Sequence, residues 1–168
     1  DASSKATVAP IDTIVQARAI DAGEDAASRD PGSYQPVAQT ISQHTDDVCD
    51  ALEHLLEGLA ERPMNESSRS ALVQAARWHD VGKSHAVFQA TMRGIDIAEV
   101  EAGADLVAPE DLLAKSNADG ARRRHQRPGF RHELASTLAY LATTDEEVQL
   151  RSLTAYLIAS HHGKLRVV

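Results

Sequence analysis

The feature that most constrains the fold is the placing of the histidines, which fall at or near the ends of separate segments with helical periodicity. Five of the eight histidines follow this arrangement: His44, His79, His132, His161 and His162. One of them precedes an acid in the run Trp78–Lys83, WHDVGK. Side chains at the ends of several packed helices can converge on one cavity from different directions. The sequence therefore predicts an all-α bundle with a metal site where helix ends converge.

Composition limits the classes of protein that fit. A length of 168 residues suits one domain with its own core. The net charge of -8 argues against binding duplex nucleic acid by overall positive charge, although a local basic segment can still bind it. The single cysteine, Cys49, permits neither an internal disulfide nor a cysteine-based zinc cluster. With no long apolar run and no signal-peptide pattern, we expect a soluble, cytoplasmic protein.

The chain is predicted to divide into an N-terminal segment and a helical domain. Residues 1–40 are rich in Ala, Asp, Ser and Thr, which favours a linker or a partly ordered segment. Residues 41–168 are predicted to form the domain, and we expect it to be truncated at the C-terminus. Apolar periodicity predicts helices over about 42–61, 67–82, 83–92, 131–143 and 146–161, with no convincing strand.

The same periodicity predicts the apolar faces. They comprise Val48, Leu52, Leu55, Leu56 and Leu59; Leu72, Val73, Ala75 and Ala76; Val87 and Phe88; Leu134, Leu138 and Leu141; and Val148, Leu150, Leu153, Tyr156, Leu157 and Ile158. Gly82 is expected to end the second helix in a left-handed conformation, with His79 and Asp80 in the last turn.

Imidazoles with one carboxylate and no thiolate indicate the type of ion. They suit manganese, iron, nickel, cobalt or zinc better than calcium, and Asp80 could bridge two ions. Two ions about 3.5 to 4 Å apart would clamp a phosphodiester and lower the pKa of a bound water. Lys83 would stabilise negative charge on the phosphate. The residues thus predict metal-assisted phosphoester hydrolysis, with Asp80 and Lys83 as catalytic residues.

These residues resemble a known superfamily. His44, His79-Asp80 with Lys83, His132 and His161-His162 resemble, in order and setting, the HD superfamily of metal-dependent phosphohydrolases. The wider motifs, which lie at 76–83, 88–89, 131–133 and 161–163, are similar to the HD nuclease domain of the type I CRISPR helicase-nuclease. The resemblance covers roughly residues 40–166. It implies an α-helical HD domain that cuts single-stranded DNA with transition-metal ions, together with a superfamily 2 helicase recruited by a Cascade-type surveillance complex.

The resemblance also implies a ligand set. One ion would be held by His44, His79 and Asp80, and the second by Asp80, His132, His161 and His162, with Lys83 facing the scissile phosphate. The family pattern has a further carboxylate downstream, whereas residues 163–168 contain no Asp or Glu. We expect the chain to be cut short or the ligand to lie in residues not given. Substitution by Asp46 or Asp47 is the third option.

A basic run precedes the His132 motif and predicts contact with DNA. It consists of Arg122, Arg123, Arg124, Arg127 and Arg131. The run could guide a single strand of DNA, or it could be a solvated or salt-bridging surface, and the sequence favours neither. We expect His54, His85 and His125 to be core or surface residues, and Trp78 to belong to the core.

Two other functions stay open. The first is an HD phosphohydrolase of small nucleotides, since one metal site can hydrolyse many phosphoesters. The second is a non-catalytic interaction module that keeps an incomplete metal site.

Overall fold

Six α-helices dominate the part of the chain that the structure describes, and this confirms the predicted all-α class. The computed structural model describes residues 37–62, 64–101, 108–116 and 125–163. In chain order the elements are β1 (Gln39–Thr40), α1 (Ile41–Gly58), α2 (Glu66–Trp78), a 3₁₀ helix (Val81–Ser84), α3 (Ala86–Arg93), α4 (Ile97–Glu101), a second 3₁₀ helix (Pro109–Asp111), β2 (Leu113–Lys115), α5 (His132–Thr143) and α6 (Val148–Ser160). None of the described helices is long and apolar enough to cross a membrane.

Local capping interactions fix where the first helices begin. At the start of α1 the Thr40 hydroxyl accepts a hydrogen bond from the Gln43 amide, and the Gln43 side chain accepts one from the Thr40 amide. This reciprocal arrangement satisfies two backbone donors that a helix start would otherwise leave unpaired. The Asn65 side chain caps α2 by accepting a hydrogen bond from the Ser68 amide, at 2.8 Å.

The main core lies where α2, α5 and α6 meet. Ala75 of α2 packs against Tyr140 of α5 and Ile158 of α6. Trp78 joins this cluster and stacks edge-on against Tyr140, with the ring centroids 5.6 Å apart, so it is a core residue as expected. The small side chain of Ala75 lets the three helices approach closely, so the end of α2, the start of α5 and the end of α6 come together.

Several apolar residues predicted to face the core are exposed instead. They are Leu55, Leu59, Leu134, Leu138, Val148, Leu153 and Tyr156. On α5 the reason is visible, because the buried face carries His132, Ser136 and Tyr140. These residues recur every four positions and share one face, so burying that face turns Leu134 and Leu138 outward. The buried face of α5 is therefore partly polar, and it is not the face that the apolar periodicity predicts to be buried.

A two-stranded antiparallel sheet, which the sequence does not predict, joins the start of α1 to the segment after α4. Gln39 pairs with Lys115 and Thr40 pairs with Leu113, so the register skips Ala114. Strands of two and three residues are too short for an alternating pattern to be recognised.

Gly82 has a different role from the one predicted. Helix α2 ends at Trp78, and Gly82 lies in the 3₁₀ helix without a positive φ angle. A Cβ atom at Gly82 would lie 2.1 Å from the His132 carbonyl oxygen and 2.6 Å from the Ser136 amide. The absence of a side chain therefore lets the 3₁₀ helix lie directly against the start of α5. This close approach brings Asp80 beside His132.

The close approach at Gly82 can be tested by adding one methyl group. We expect Gly82→Ala to lower the free energy of unfolding by about 2–3 kcal/mol, because the nearest neighbours are backbone atoms that cannot rotate away. Urea unfolding of the metal-free protein measures the change. Gly58→Ala is the matched control, since nothing lies within 4 Å of its added Cβ and its stability should be unchanged or raised by up to about 1 kcal/mol. Equal effects of the two variants would contradict the close approach.

Candidate metal centre

All six predicted ligands come together at one end of the bundle. His44 lies in the first turn of α1, and His132 is the first residue of α5. His79 and Asp80 directly follow the end of α2, and His161 and His162 directly follow the end of α6. The starts of two helices and the ends of two others thus meet in one place. The packing of α2, α5 and α6 brings together candidate ligands that are far apart in the sequence.

Asp80 lies at the centre of this cluster. Its Oδ2 atom is 3.4 Å from Nε2 of His44 and 3.4 Å from Nε2 of His79. Its Oδ1 atom is 3.4 Å from Nε2 of His132 and 3.8 Å from Nε2 of His161. Each carboxylate oxygen therefore faces imidazoles from two different elements.

The potential ligand atoms form two groups that could each hold a metal ion. His44, His79 and Asp80 make one group, and His132, His161 and His162 make the other, with the candidate ligand atoms of each group within 4.8 Å of one another. Asp80 belongs to the first group and contacts His132 and His161 of the second. The position of Asp80 between the groups is that of a carboxylate able to bridge two ions.

Two backbone hydrogen bonds determine which imidazole nitrogen faces Asp80. The Nδ1 atom of His79 lies 2.7 Å from the Ala76 carbonyl, and that of His161 lies 2.7 Å from the Ile158 carbonyl. A carbonyl accepts only, so Nδ1 must carry the proton in each neutral ring. The Nε2 atoms that face Asp80 then present lone pairs, which is the form that binds a metal ion.

The polar groups at the centre fit a cation. Asp80 is 2% exposed, and apart from the ion pair between Oδ2 and Lys83 neither of its oxygens has a hydrogen-bond partner in the described structure. The Nε2 atom of His161 is likewise buried without such a partner among the described residues. Lone pairs of carboxylate and imidazole that face one another in a buried site repel unless a positive charge lies between them. A nitrogen and oxygen donor set without thiolate suits a divalent transition metal.

The protonation states agree with this donor set. Burial lowers the pKa of His44 to about 4, and the charges of Lys115 and Lys83 act in the same direction. Burial lowers the pKa of His132 to about 3, again helped by the charge of Lys83. Burial also lowers the pKa of His161. For Asp80, burial alone would raise the pKa, but the contacts with His79, Lys83 and His132 hold it well below its usual range. At neutral pH the imidazoles of His44, His132 and His161 are therefore neutral and the Asp80 carboxylate is ionised.

Lys83 points toward Asp80 in the interior of the protein. The residue is 1% exposed, and Nζ lies 2.8 Å from Oδ2 of Asp80 and 3.5 Å from the Ala114 carbonyl of β2. The ammonium also lies 5.4 Å from the ring centroid of Phe88. The observed contact of Lys83 is thus with the central carboxylate, and its contact with a scissile phosphate stays a prediction.

The predicted DNA-binding arginines differ in their surroundings. Arg131 is half-buried and forms an ion pair with Glu133, with Nε 2.7 Å from Oε1. The other oxygen of Glu133 lies 3.8 Å from Nδ1 of His132, so this pair also contacts the centre. Arg127 is exposed. Arg122, Arg123 and Arg124 lie outside the described residues.

The remaining histidines and two nearby acids belong to neither ligand group. His54 is exposed and bonds the Asp50 carbonyl, His85 caps α3, and His125 bonds the Thr91 hydroxyl at 2.8 Å. Asp46 and Asp47 are exposed and also lie outside both groups. Residues 163–168 contain no carboxylate side chain, and the expectation that this ligand lies in residues not given stays a prediction.

Ser136 is a residue of the site that the sequence pattern did not reveal. It is fully buried, donates a hydrogen bond to the His79 carbonyl at 2.7 Å and accepts one from the Gly82 amide at 2.7 Å. These bonds hold the Asp80 segment against α5. The available signal was its position four residues after His132, which places a small polar residue on the same helix face.

Comparison with known protein families matches residues 27–167 to the family described as Cas3, HD domain. The chain belongs to the Cas3 HD domain family. The resemblance drawn from the histidine motifs is thereby confirmed at the level of the family. Comparisons with curated proteins and with solved structures gave no match. The domain boundary at residue 40 stays a prediction.

The lowered histidine pKa values predict how the stability of the metal-free protein depends on pH. Between about pH 4 and the ordinary histidine pKa of 6.5, the unfolded chain binds protons that His44 and His132 do not bind in the folded state. Stability should therefore be fully present above pH 6.5 and fall as the pH is lowered through this window. Urea unfolding in EDTA at several pH values measures this slope.

A variant with both His44→Asn and His132→Asn should show a flatter dependence over the same range. A slope that is unchanged in this variant would contradict the assignment of the pH effect to the centre.

Proposed function

We propose that this protein is a metal-dependent nuclease that hydrolyses phosphodiester bonds of single-stranded DNA in a type I CRISPR interference system. The observation that carries the proposal is the buried Asp80 carboxylate, which faces Nε2 atoms of four histidines from four helix ends. Membership of the Cas3 HD domain family supports a nuclease among the possible phosphohydrolases. A superfamily 2 helicase, in the same chain or complex, and a Cascade-type surveillance complex are the proposed partners.

The proposed ligands divide into two sets that share Asp80. His44, His79 and Asp80 would hold one divalent ion, and Asp80, His132, His161 and His162 would hold another, with manganese, nickel, iron or cobalt favoured and zinc compatible. When bound, such ions would polarise the phosphate and lower the pKa of a water molecule near it. Asp80 keeps its negative charge at neutral pH because His79, Lys83 and His132 hold its pKa low.

Other groups prepare the centre for this chemistry. The Ala76 and Ile158 carbonyls hold His79 and His161 with Nε2 directed inward. Ser136 ties the His79 carbonyl to α5, so the two ligand groups keep one separation. Fixing the ligands in advance avoids a cost of reorganisation when a phosphodiester arrives.

The acidic charge of the chain bears on how DNA reaches the centre. A net charge of -8 repels the DNA backbone over most of the surface. Arg127, which is exposed, and the adjacent Arg122, Arg123 and Arg124 would supply a local path for a strand that a helicase delivers. Arg131 is less suited to this role because it is paired with Glu133.

Removal of one ligand tests catalysis directly. With manganese or nickel, we expect the protein to nick circular single-stranded DNA, and Asp80→Ala to reduce the rate at least about a hundredfold, because the residue touches both ligand groups. Nicking on agarose gels, with EDTA as the metal-free condition, measures the rate. His54→Ala is the matched histidine control and should retain full activity, since His54 is exposed and outside both groups.

Two outcomes would overturn the nuclease proposal in favour of an alternative. Hydrolysis of a deoxynucleotide or cyclic dinucleotide by metal-loaded protein that leaves DNA intact would indicate a small-nucleotide phosphohydrolase. Absence of both activities in metal-loaded protein would indicate a non-catalytic module.

The basic run is tested by its effect on salt dependence. Replacing Arg122, Arg123, Arg124 and Arg127 by Ala should weaken binding of single-stranded DNA and lower the slope of log affinity against log salt by about 0.7 for each phosphate that the variant no longer binds. Fluorescence anisotropy at several salt concentrations measures the slope. Arg62→Ala, an exposed arginine elsewhere, should leave it unchanged. A slope that the quadruple variant does not alter would assign the run to a solvated surface.

A further inference from the structure

Gln89 is a buried amide whose hydrogen bonds connect two segments that lie beside the metal centre. The residue is 2% exposed. Its Nε2 atom donates to the Lys83 carbonyl at 2.7 Å and to the Leu113 carbonyl at 2.9 Å, and its Oε1 atom accepts from the Leu113 amide at 3.0 Å. The Gln89 amide therefore pairs with both backbone groups of Leu113, as a neighbouring strand would, and at the same time holds the segment after Asp80.

Leu113 transmits this connection to the beginning of α1. It is the register partner of Thr40 on β1, and Thr40 is the residue that caps α1. The next amide, that of Ile41, donates to the Leu112 carbonyl at 2.7 Å. His44 follows within the first turn of α1. A short path of backbone and amide hydrogen bonds thus runs from the Lys83 carbonyl through Gln89 and Leu113 to the helix turn that carries His44.

His44 depends on this path more than the other ligands depend on their surroundings. His79 and His161 are each oriented by a carbonyl of their own helix. Among the described residues, no such hydrogen bond orients His44. Leu56, near the other end of α1, is the one residue of this helix that is buried. The placing of the His44 end therefore rests on the β1–β2 pairing that Gln89 holds, together with the packing of the half-buried face of α1 against α2.

We propose that Gln89 is a positioning residue that sets His44 against Asp80. It thereby determines how tightly the ion that His44, His79 and Asp80 would hold is bound. The inference rests on the proposed metal centre and adds a residue that belongs to neither ligand group. Gln89 acts by fixing the start of α1, so its effect on metal binding should pass through His44.

A double-mutant cycle on metal affinity tests this path. Isothermal titration with Co²⁺, in full-length protein without DNA, compares the original protein with Gln89→Leu, His44→Ala and the variant carrying both. We expect Gln89→Leu to weaken Co²⁺ binding at the His44 site about tenfold, in the range found for residues that orient metal ligands. The double variant should bind no more weakly than His44→Ala alone, because the ligand through which Gln89 acts is already gone. The visible absorption of bound Co²⁺ should change in the same variants.

Tyr140→Phe is the matched control for general loss of stability. It removes a hydroxyl from a fully buried residue whose bond to Glu146 lies away from the centre. Its melting temperature should fall while its Co²⁺ affinity stays unchanged. Should Gln89→Leu fail to fold, Thr40→Ala carries the same test, since it weakens the cap of α1 on the same path. That variant should lose affinity several-fold, again without further loss beyond His44→Ala.

The outcomes separate this inference from the proposed function. The positioning role would be overturned if the double variant bound Co²⁺ more weakly than His44→Ala alone, or if Gln89→Leu lowered the melting temperature without changing the Co²⁺ affinity. Either result would leave the nuclease proposal standing. The nuclease proposal alone would be overturned if the four proteins gave the expected Co²⁺ affinities but the unaltered protein cut no DNA. Failure of the unaltered protein to bind Co²⁺ would overturn both.

Discussion

The structure depends on the burial of one negative charge. Asp80 is almost inaccessible to solvent, and the groups around it are mainly imidazole nitrogens that present lone pairs. The ammonium of Lys83 lies within ion-pair distance of it. An ionised carboxylate in such surroundings is costly unless positive charge is supplied to it. Lys83 supplies part of this positive charge, and a cation in the proposed centre would add to it. Burial lowers the pKa of His44, His132 and His161, so these three imidazoles are neutral beside the carboxylate.

The packing of the helices serves this centre at some cost to the apolar core. The inner face of α5 carries His132, Ser136 and Thr137 along with Tyr140, and Leu134 and Leu138 of the same helix lie outside. The absence of a side chain at Gly82 lets the backbone beside Asp80 touch α5. Features of this kind, in which local preference is overridden, are typical of functional sites. The apolar residues of α2, α5 and α6 supply the stability that such an arrangement requires.

The overall charge of the chain suits the proposed metal centre better than it suits the binding of a DNA strand. In the proposed function the centre holds cations and a phosphodiester, whereas the chain as a whole is acidic. Arg131, which the sequence assigned to a DNA strand, is engaged with Glu133 beside His132 and so contributes to the centre. In the proposed system a helicase would bring the strand, and this domain would need only a local basic path. The inward position of Lys83 fits the same division, since its charge acts first on Asp80.

The sequence alone determined the helical class, the family and the identity of the residues that meet at the centre, because histidine motifs at helix ends are local patterns that can be recognised without knowledge of packing. Only the tertiary structure decided which helix faces are buried, since exposure of Leu134 or Leu138 depends on what α5 packs against. It also decided the direction of Lys83, the close approach at Gly82 and the connection through Gln89 to Leu113 and Thr40. Apart from the pair of Lys83 with Asp80, these features join residues far apart in the chain. Their physical basis is contact between segments, which has no periodicity that a single sequence can display.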